Sequence, residues 1–215
     1  MSFLSSLLPR VVLNTSSRYN SDIRLIRAWG EYKLLVHGSP QSGSYIRMLW
    51  RRALQKIKTD ELHTITTILV LGVGGGTVIE LLIKRFPHAV IIAVDIDPTM
   101  MAIAKKYFGI DMYTNVRLEC GDANRFVEHS AKKGMVFDLI VVDLFIGATI
   151  PEFVSSIPFL KNLHAIVRPG GHLVINYLRE LEYQAKSDEL CVCLSAIWKH
   201  TGDMKLYNNR FFFAG

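Results

Sequence analysis

From residue 66 onward, hydrophobic positions come in short unbroken runs separated by stretches of helical spacing. "TTILVLGV" (66–73), "AVIIAVDI" (89–96), "VRLEC" (116–120), "DLIVVDLF" (138–145) and "HLVINY" (172–177) have the length and β-branched content of buried strands. Amphipathic stretches lie between them. The first, about 77–86, stops before Pro87; "PTMMAIAKKYFGI" opens with Asp97 as cap and Pro98 at the first helical position. A short helix "ANRFVEHSA" follows, then "PEFVSSIPFLKNLHAIV", closed at "RPGG", where glycine can adopt a left-handed cap. Strand and helix in alternation predict right-handed crossovers and an α/β fold: a Rossmann-like, doubly wound, mostly parallel sheet with helices on both faces. After the fifth strand the order changes. A long helix over about 179–200 leads to "MKLY", "NN" and "RFFFA", and Asn208-Asn209 between two β-rich runs predicts a tight hairpin that closes the sheet antiparallel.

The first 60 residues read differently. "RVVLNT", "SDIRLIRAWG" and "EYKLLVHG" are short strands joined by turns, one at Gly30. "SYIRMLWRRALQKIK" then forms an amphipathic helix with Met48, Leu49, Leu54 and Ile57 inward and the Arg and Lys side chains outward. Residues 1–60 are therefore a small β-rich cap with a linking helix, and 61–215 the Rossmann-like domain. The opening "MSFLSSLLPR" lacks the basic n-region of a secretory signal. An organellar transit peptide fits its composition, but a short amphipathic helix before the first strand fits better.

Composition narrows the classes. Half the 215 residues are apolar, yet no run reaches the roughly 18 residues of a membrane span, so no membrane partner is expected. Three cysteines (Cys120, Cys191, Cys193) without a C-x-x-C, and seven scattered histidines, argue against a disulfide framework and a metal, and suit a reducing, cytoplasmic setting. The net charge is +6, but residues 1–60 hold ten Lys/Arg against three Asp/Glu, so the whole basic excess sits in the N-terminal quarter. This suits an anionic partner, but a solvated helix face explains it as well. No RNA-binding motif supports a nucleic-acid partner.

The chemistry gathers where the strands end. In open parallel sheets ligands lie beyond the carboxyl ends of the strands, where strand order reverses. Here the first strand runs into Gly72, Gly74, Gly75 and Gly76, the second ends at Asp95, the third is followed by Asp122, and the fourth ends at Asp143. A single strand-end Asp is ordinarily a helix cap, as expected for Asp97. Three on one sheet edge point to a ligand. The glycine spacing departs from the dinucleotide fingerprint at Thr77. Asp95 suits ribose hydroxyls, and Asp122 in "GDA" (121–123) suits an adenine amino group. With the terminal hairpin, these favour an adenosyl-sulfonium cofactor over a nicotinamide one.

These residues resemble the spermidine-synthase-like proteins, within the class I S-adenosylmethionine-dependent transferase fold. The likeness rests on "LLVHGSPQSGSYIRMLW", "LVLGVGGGTVIELL", "VDID", "GDANRF" and "FDLIVVDLF". It implies that Gln41, Asp95 and Ile96 hold the nucleoside along with the glycine loop, that Asp122 and Ala123 meet the adenine, that Asp143 sits at the reacting centre, and that Tyr45 lines the acceptor pocket. It also favours a homodimer, as relatives commonly pair. Two departures stand out. Gly75 replaces the Asp of the family's G-G-G-D-G-G loop, and Ile146 replaces the second Asp of its D-S-S-D strand end. Losing a carboxylate from a cation site costs a few kcal/mol, on the order expected for a desolvated charge without its partner. A loop Asp would also repel the carboxylate of intact S-adenosylmethionine by on the order of 4 kcal/mol at close range, which a glycine avoids.

The expected function is thus S-adenosylmethionine-dependent methyl transfer to an unidentified small acceptor. The alternatives are aminopropyl transfer in polyamine biosynthesis, using decarboxylated S-adenosylmethionine, and a non-catalytic nucleoside-binding module. Asp143 serves either as base or as an orienting group. Asn176 and Tyr177 end the fifth strand, and because a strand alternates faces only one can meet the acceptor; Tyr177 and Ile146 are carried as acceptor contacts beside Tyr45.

Overall fold

A computed structural model describes residues 8–57, 65–180 and 182–215. Two sheets organise the chain. The smaller is antiparallel and four-stranded, in the order β1 (Arg10–Thr15), β2 (Ile23–Ala28), β3 (Glu31–Val36) and β4 (Ser39–Pro40). Helix α1 (Ser44–Leu54) connects it to the larger sheet of β5 (Thr67–Leu71), β6 (Val90–Asp95), β7 (Val116–Cys120), β8 (Phe137–Val142), β9 (Val167–Leu178), β10 (Thr201–Leu206) and β11 (Asn209–Ala214). Its order is β10-β11-β9-β8-β5-β6-β7, parallel from β7 to β9 and antiparallel beyond. This is the doubly wound arrangement with a terminal hairpin that the pattern predicts. Strand order reverses between β5 and β8.

The unbroken apolar strands follow from burial on both faces. Successive residues of β5 and β8 point to opposite sides. Ile68, Val70, Leu139 and Val141 join a core with Leu49, Trp50, Ala53 and Leu54 of α1 and with α2 (Thr77–Arg85). Leu69, Leu71, Ile140 and Val142 face α4 (Ala123–Lys132), α5 (Ile157–Ile166) and α6 (Tyr183–Ile197). The inward face of α1 includes the expected Leu49 and Leu54, with Ile57 buried just past its end; Met48 is only half-buried, and Trp50 and Ala53 join the buried set. A third cluster seats the small sheet: Ile23, Leu25, Leu34 and Val36 pack on Met100 and Ile103 of α3 (Pro98–Phe108).

Several local expectations are corrected. Helix α5 does not end on a left-handed glycine at "RPGG". Val167 is already extended and begins β9, and the run is absorbed as an irregularity between the pairs Phe137–Val167 and Leu139–His172. The break before α5 comes from a 3-10 turn at Glu152–Ser155, after which Ser156 caps the helix and Pro158 occupies the first turn, where no N–H is needed. The last helix is shorter than 179–200. The hairpin turns at Tyr207-Asn208, with Leu206 paired to Asn209, one residue earlier than Asn208-Asn209. Asn209 belongs to β11 because its side chain is buried against β9. The helix expected at the extreme N-terminus falls mainly on residues 1–7, and the boundary at 60/61 lies within 58–64, both outside the described residues. Among the described residues, no helix is long and apolar enough to cross a membrane, and no group of three or more His, Cys, Asp or Glu is placed to hold a metal ion.

Asp138 locks the starts of β5 and β8 together. Its Oδ2 accepts from the backbone N–H and hydroxyl of both Thr66 and Thr67, at 2.9–3.0 Å, and its Oδ1 meets Arg168 Nε at 2.9 Å. Burial raises the pKa of this carboxyl, but those hydrogen bonds outweigh it and hold the value below the ordinary 3.8. Asp138→Ala should lower unfolding stability by about 3 kcal/mol in urea at pH 7. The sign of the pH dependence follows: a depressed carboxyl stabilises above its unfolded pKa and loses that contribution as pH falls through the folded one, so wild type and variant should converge in acid.

Candidate active site

The site begins with a backbone contact. The Asp143 N–H donates to Leu71 O at 2.8 Å, and the Gly72 N–H donates to Val94 O at 2.8 Å, so the ends of β5, β6 and β8 are drawn together. Gly72 has φ +94°, and a Cβ there would lie 2.1 Å from the Asp143 carbonyl oxygen. This glycine is a requirement of strand convergence.

Two adjoining cavities open above these strand ends. The first is lined by Gly72, Gly74, Asp95, Ile96, Asp122 and Ala123, together with Gln41, Asp143 and Ile146. The second is lined by Gln41, Tyr45, Ile46, Asp143, Phe145 and Asn176, with Leu178 and Asn209. Gln41, Asp143, Phe145 and Gly147 are common to both. Four carboxylates (Asp95, Asp97, Asp122, Asp143) and no Lys or Arg line the first, a field suited to a cationic ligand with hydroxyl groups.

Each carboxylate is also tied to the fold. Asp95 accepts from Val73 N–H at 2.8 Å and Asp97 N–H at 2.9 Å; burial nonetheless raises its pKa, against the pull of those backbone donors. Asp122 caps α4 by accepting from Arg125 N–H at 2.9 Å. Asp97 is the expected cap of α3, accepting from Thr99 N–H, but it does more. Buried, it also accepts from Ser17 Oγ and, at 2.8 Å, from Asn20 Nδ2, pinning the β1–β2 connection to the large domain's helix. Asn20 Oδ1 in turn accepts from Gly147 N–H at 3.1 Å, while Gln41 Nε2 donates to Gly147 O at 3.2 Å. The loop after Asp143 is thus held by side chains from the N-terminal sheet.

Asp143 receives Trp50 Nε1–H on Oδ2 at 3.0 Å and Asn176 Nδ2–H on Oδ1 at 2.8 Å. Burial dominates its electrostatics and pushes its pKa from 3.8 up to about 6, although both donors oppose the shift. Tyr45 borders the second cavity, edge-to-face with Tyr207 at 6.0 Å, and burial raises its phenol with help from Tyr207 and Glu180. Ile146 lies at the rim, 42% exposed.

Three expected contacts fall elsewhere. Tyr177 points away from both cavities into the core against Tyr183 and Phe212, 2% exposed, because the alternation of β9 gives the cleft to Asn176. Gly75 and Gly76 line neither cavity. A Cβ on Gly75 would meet Ser42 Cβ at 2.6 Å, and one on Gly76, at φ +79°, would meet Ile110 at 2.3 Å. These two serve packing, and Ser42 and Phe108 occupy the room a loop Asp would need. Trp50, Asn20, Asn209 and Phe153 were not expected at the site. Only the "NN" pair carried a local signal, and it pointed to a turn.

This geometry defines the class I S-adenosylmethionine-dependent methyltransferase fold, and residues 68–171 match the family described as a methyltransferase domain. Among curated proteins, the chain is 35% identical over 132 residues to the polyamine aminopropyltransferase of Vibrio vulnificus, a match spanning 61% of this chain and 42% of that protein's length. Among solved structures, it overlays a probable spermidine synthase from Corynebacterium glutamicum with a TM-score of 0.75 and 19% identity, covering 97% of this chain and 80% of the other. Human methyltransferase-like protein 13, solved in complex with SAH, overlays with a TM-score of 0.69 and 23% identity, covering 80% and 82%.

Gly72→Ala tests the convergence of the strands. The clash is with backbone and cannot be relieved by a rotamer change, so the variant should lose roughly 10 °C or more in thermal midpoint. A near-wild-type melting curve would show that the strand ends can separate freely.

Proposed function

We propose that the chain is an S-adenosylmethionine-dependent methyltransferase whose small acceptor, of low positive charge, enters the second cavity and gives up a proton to Asp143. The observation that carries this reading is the place of Asp143, which lines both cavities and is the one carboxylate among the described residues lining the second. A polyamine would bring several ammonium groups to that cavity and find a single negative partner. Ile146 stands at the position where the resemblance calls for another.

The residues of the first cavity fit the donor. Each oxygen of Asp95 accepts a backbone N–H, and each keeps lone-pair capacity for a ribose hydroxyl donor. Ile96 and Ala123 offer apolar surface beside Asp122 for a purine, and Gly72 and Gly74 leave backbone open to the remainder. The donor contributes a methyl group on a positively charged sulfur. The chain's part is to position the acceptor and remove its proton. With a pKa of about 6, Asp143 is largely ionised at neutral pH yet more basic than an ordinary carboxylate. Trp50 and Asn176 aim its oxygens and support the charge.

Aminopropyl transfer with the decarboxylated donor is the second reading. It is favoured by the 35% identity to an aminopropyltransferase and opposed by the missing carboxylates at Gly75 and Ile146. A non-catalytic nucleoside-binding role would leave Asp143 as an orienting group only.

Product analysis with labelled S-adenosylmethionine and with its decarboxylated form, over a pool of small metabolites, separates these readings. Methylated products are expected. Aminopropylated products alone would overturn the proposal. Asp143→Asn should lower turnover by about 10²- to 10⁴-fold while leaving donor-induced thermal stabilisation intact. Since the ionised form is the base, kcat/KM should rise with pH through a midpoint of about 6.

A further inference from the structure

Asn209 lies on β11 at the wall of the second cavity, its side chain is buried, and its Nδ2–H donates to Asn176 Oδ1 at 2.9 Å. Asn176 then donates Nδ2–H to Asp143 Oδ1 at 2.8 Å. A side-chain amide has two unlike ends. If Asn176 turned over, its carbonyl oxygen would face the Asp143 carboxylate and repel it, so the direction of this amide decides whether the carboxylate is supported or opposed. With its Nδ2–H toward Asn176, Asn209 engages the oxygen end of that amide and so pairs with the orientation in which the N–H end meets the acceptor-only carboxylate of Asp143.

We infer that Asn209 is a positioning residue that locks the amide of Asn176 with its N–H toward Asp143, so that two hairpin-borne and strand-borne amides hold the reacting carboxylate in its accepting state. The role rests on the reading of Asp143 as the reacting group and extends it to a residue 66 positions away in sequence. It also explains why the hairpin turns one residue early: Asn209 is needed in the strand, with its side chain inward.

The surroundings leave few competing charges. Tyr45, at the start of α1, lines the same cavity, and Asp95, Asp97 and Asp122 line the adjoining one; β9 and β11 contribute Asn176, Leu178 and Asn209. The Trp50 indole N–H bonds directly to Asp143 Oδ2, so its proton–nitrogen resonance reports the carboxyl's titration without any substrate. In the wild-type chain this resonance should titrate near pH 6 and stop titrating in Asp143→Asn. Asn209→Leu, similar in volume but without a donor, should move the midpoint upward by about one pH unit. Asn176→Leu should also move it upward, and in that background Asn209→Leu should add nothing, since its route to Asp143 is gone. Asn209→Ser keeps a hydroxyl donor and should hold the midpoint near the wild-type value.

A wild-type midpoint in Asn209→Leu, or a shift that persists after Asn176 is removed, would overturn the inference. If Asn209→Leu does not fold, Asn209→Ala carries the same cycle. The two readings fail separately: an unshifted midpoint alongside an inactive Asp143→Asn sinks the relay alone, whereas a shifted midpoint alongside a fully active Asp143→Asn sinks the base alone.

Discussion

The close approach of Gly72 to Asp143 is the constraint on which the rest depends. Where β5 and β8 end side by side, the Asp143 N–H closes on Leu71 O and leaves no room for a side chain at position 72. That contact sets the depth of the cleft at the point where strand order reverses. It aims the glycine backbone at one cavity and carries the Asp143 carboxylate into the seam between two. A wider separation would add a Cβ-sized gap, leave backbone groups unpaired, and detach the Asp143 carboxylate from both cavities.

Placing a carboxylate in that seam has an energetic cost. Burial penalises the ionised form, and the net result is a pKa raised from 3.8 to about 6. The indole of Trp50 and the amide of Asn176 reduce that penalty without cancelling it. The balance leaves a group that is charged at neutral pH and more eager for a proton than an exposed aspartate. The neighbouring acids obey a different balance. Asp97 and Asp122 each accept from a helix's first N–H groups, and Asp95 accepts from the turn around it, so their positions are set by the backbone before any ligand arrives.

The small N-terminal sheet completes the site. It supplies Tyr19, Asn20, Val36 and Gln41 to the first cavity, and its apolar face rests on α3. Asp97 and Gly147 are the polar joints: one ties the sheet's connecting segment to the cap of α3, the other ties the loop after Asp143 to Asn20 and Gln41. Movement of this sheet would therefore alter both cavities together, because the same two side chains that border the first also hold the loop bordering the second.

Much of this was legible in the amino-acid sequence because it is written locally. Buried strands are contiguous apolar runs, Asp97-Pro98 is a helix start, the glycine cluster marks a tight passage, and an acid at a strand's carboxyl end lies at the sheet's ligand-binding edge whatever surrounds it. Tertiary structure decided what depends on which face of an element meets which distant neighbour. Asn176 and Tyr177 are equivalent by position, and only the packing of β9 against its flanking helices sends one to the cleft and the other to the core. Gly75 and Gly76 share a motif with Gly72 but answer to Ser42 and Ile110, far away in sequence. Trp50 meets Asp143 across 93 residues, and Asn209 meets Asn176 across 33. Such pairings carry no periodicity and no composition signal, since their energy comes from burial and hydrogen bonding that exist only once the chain has closed.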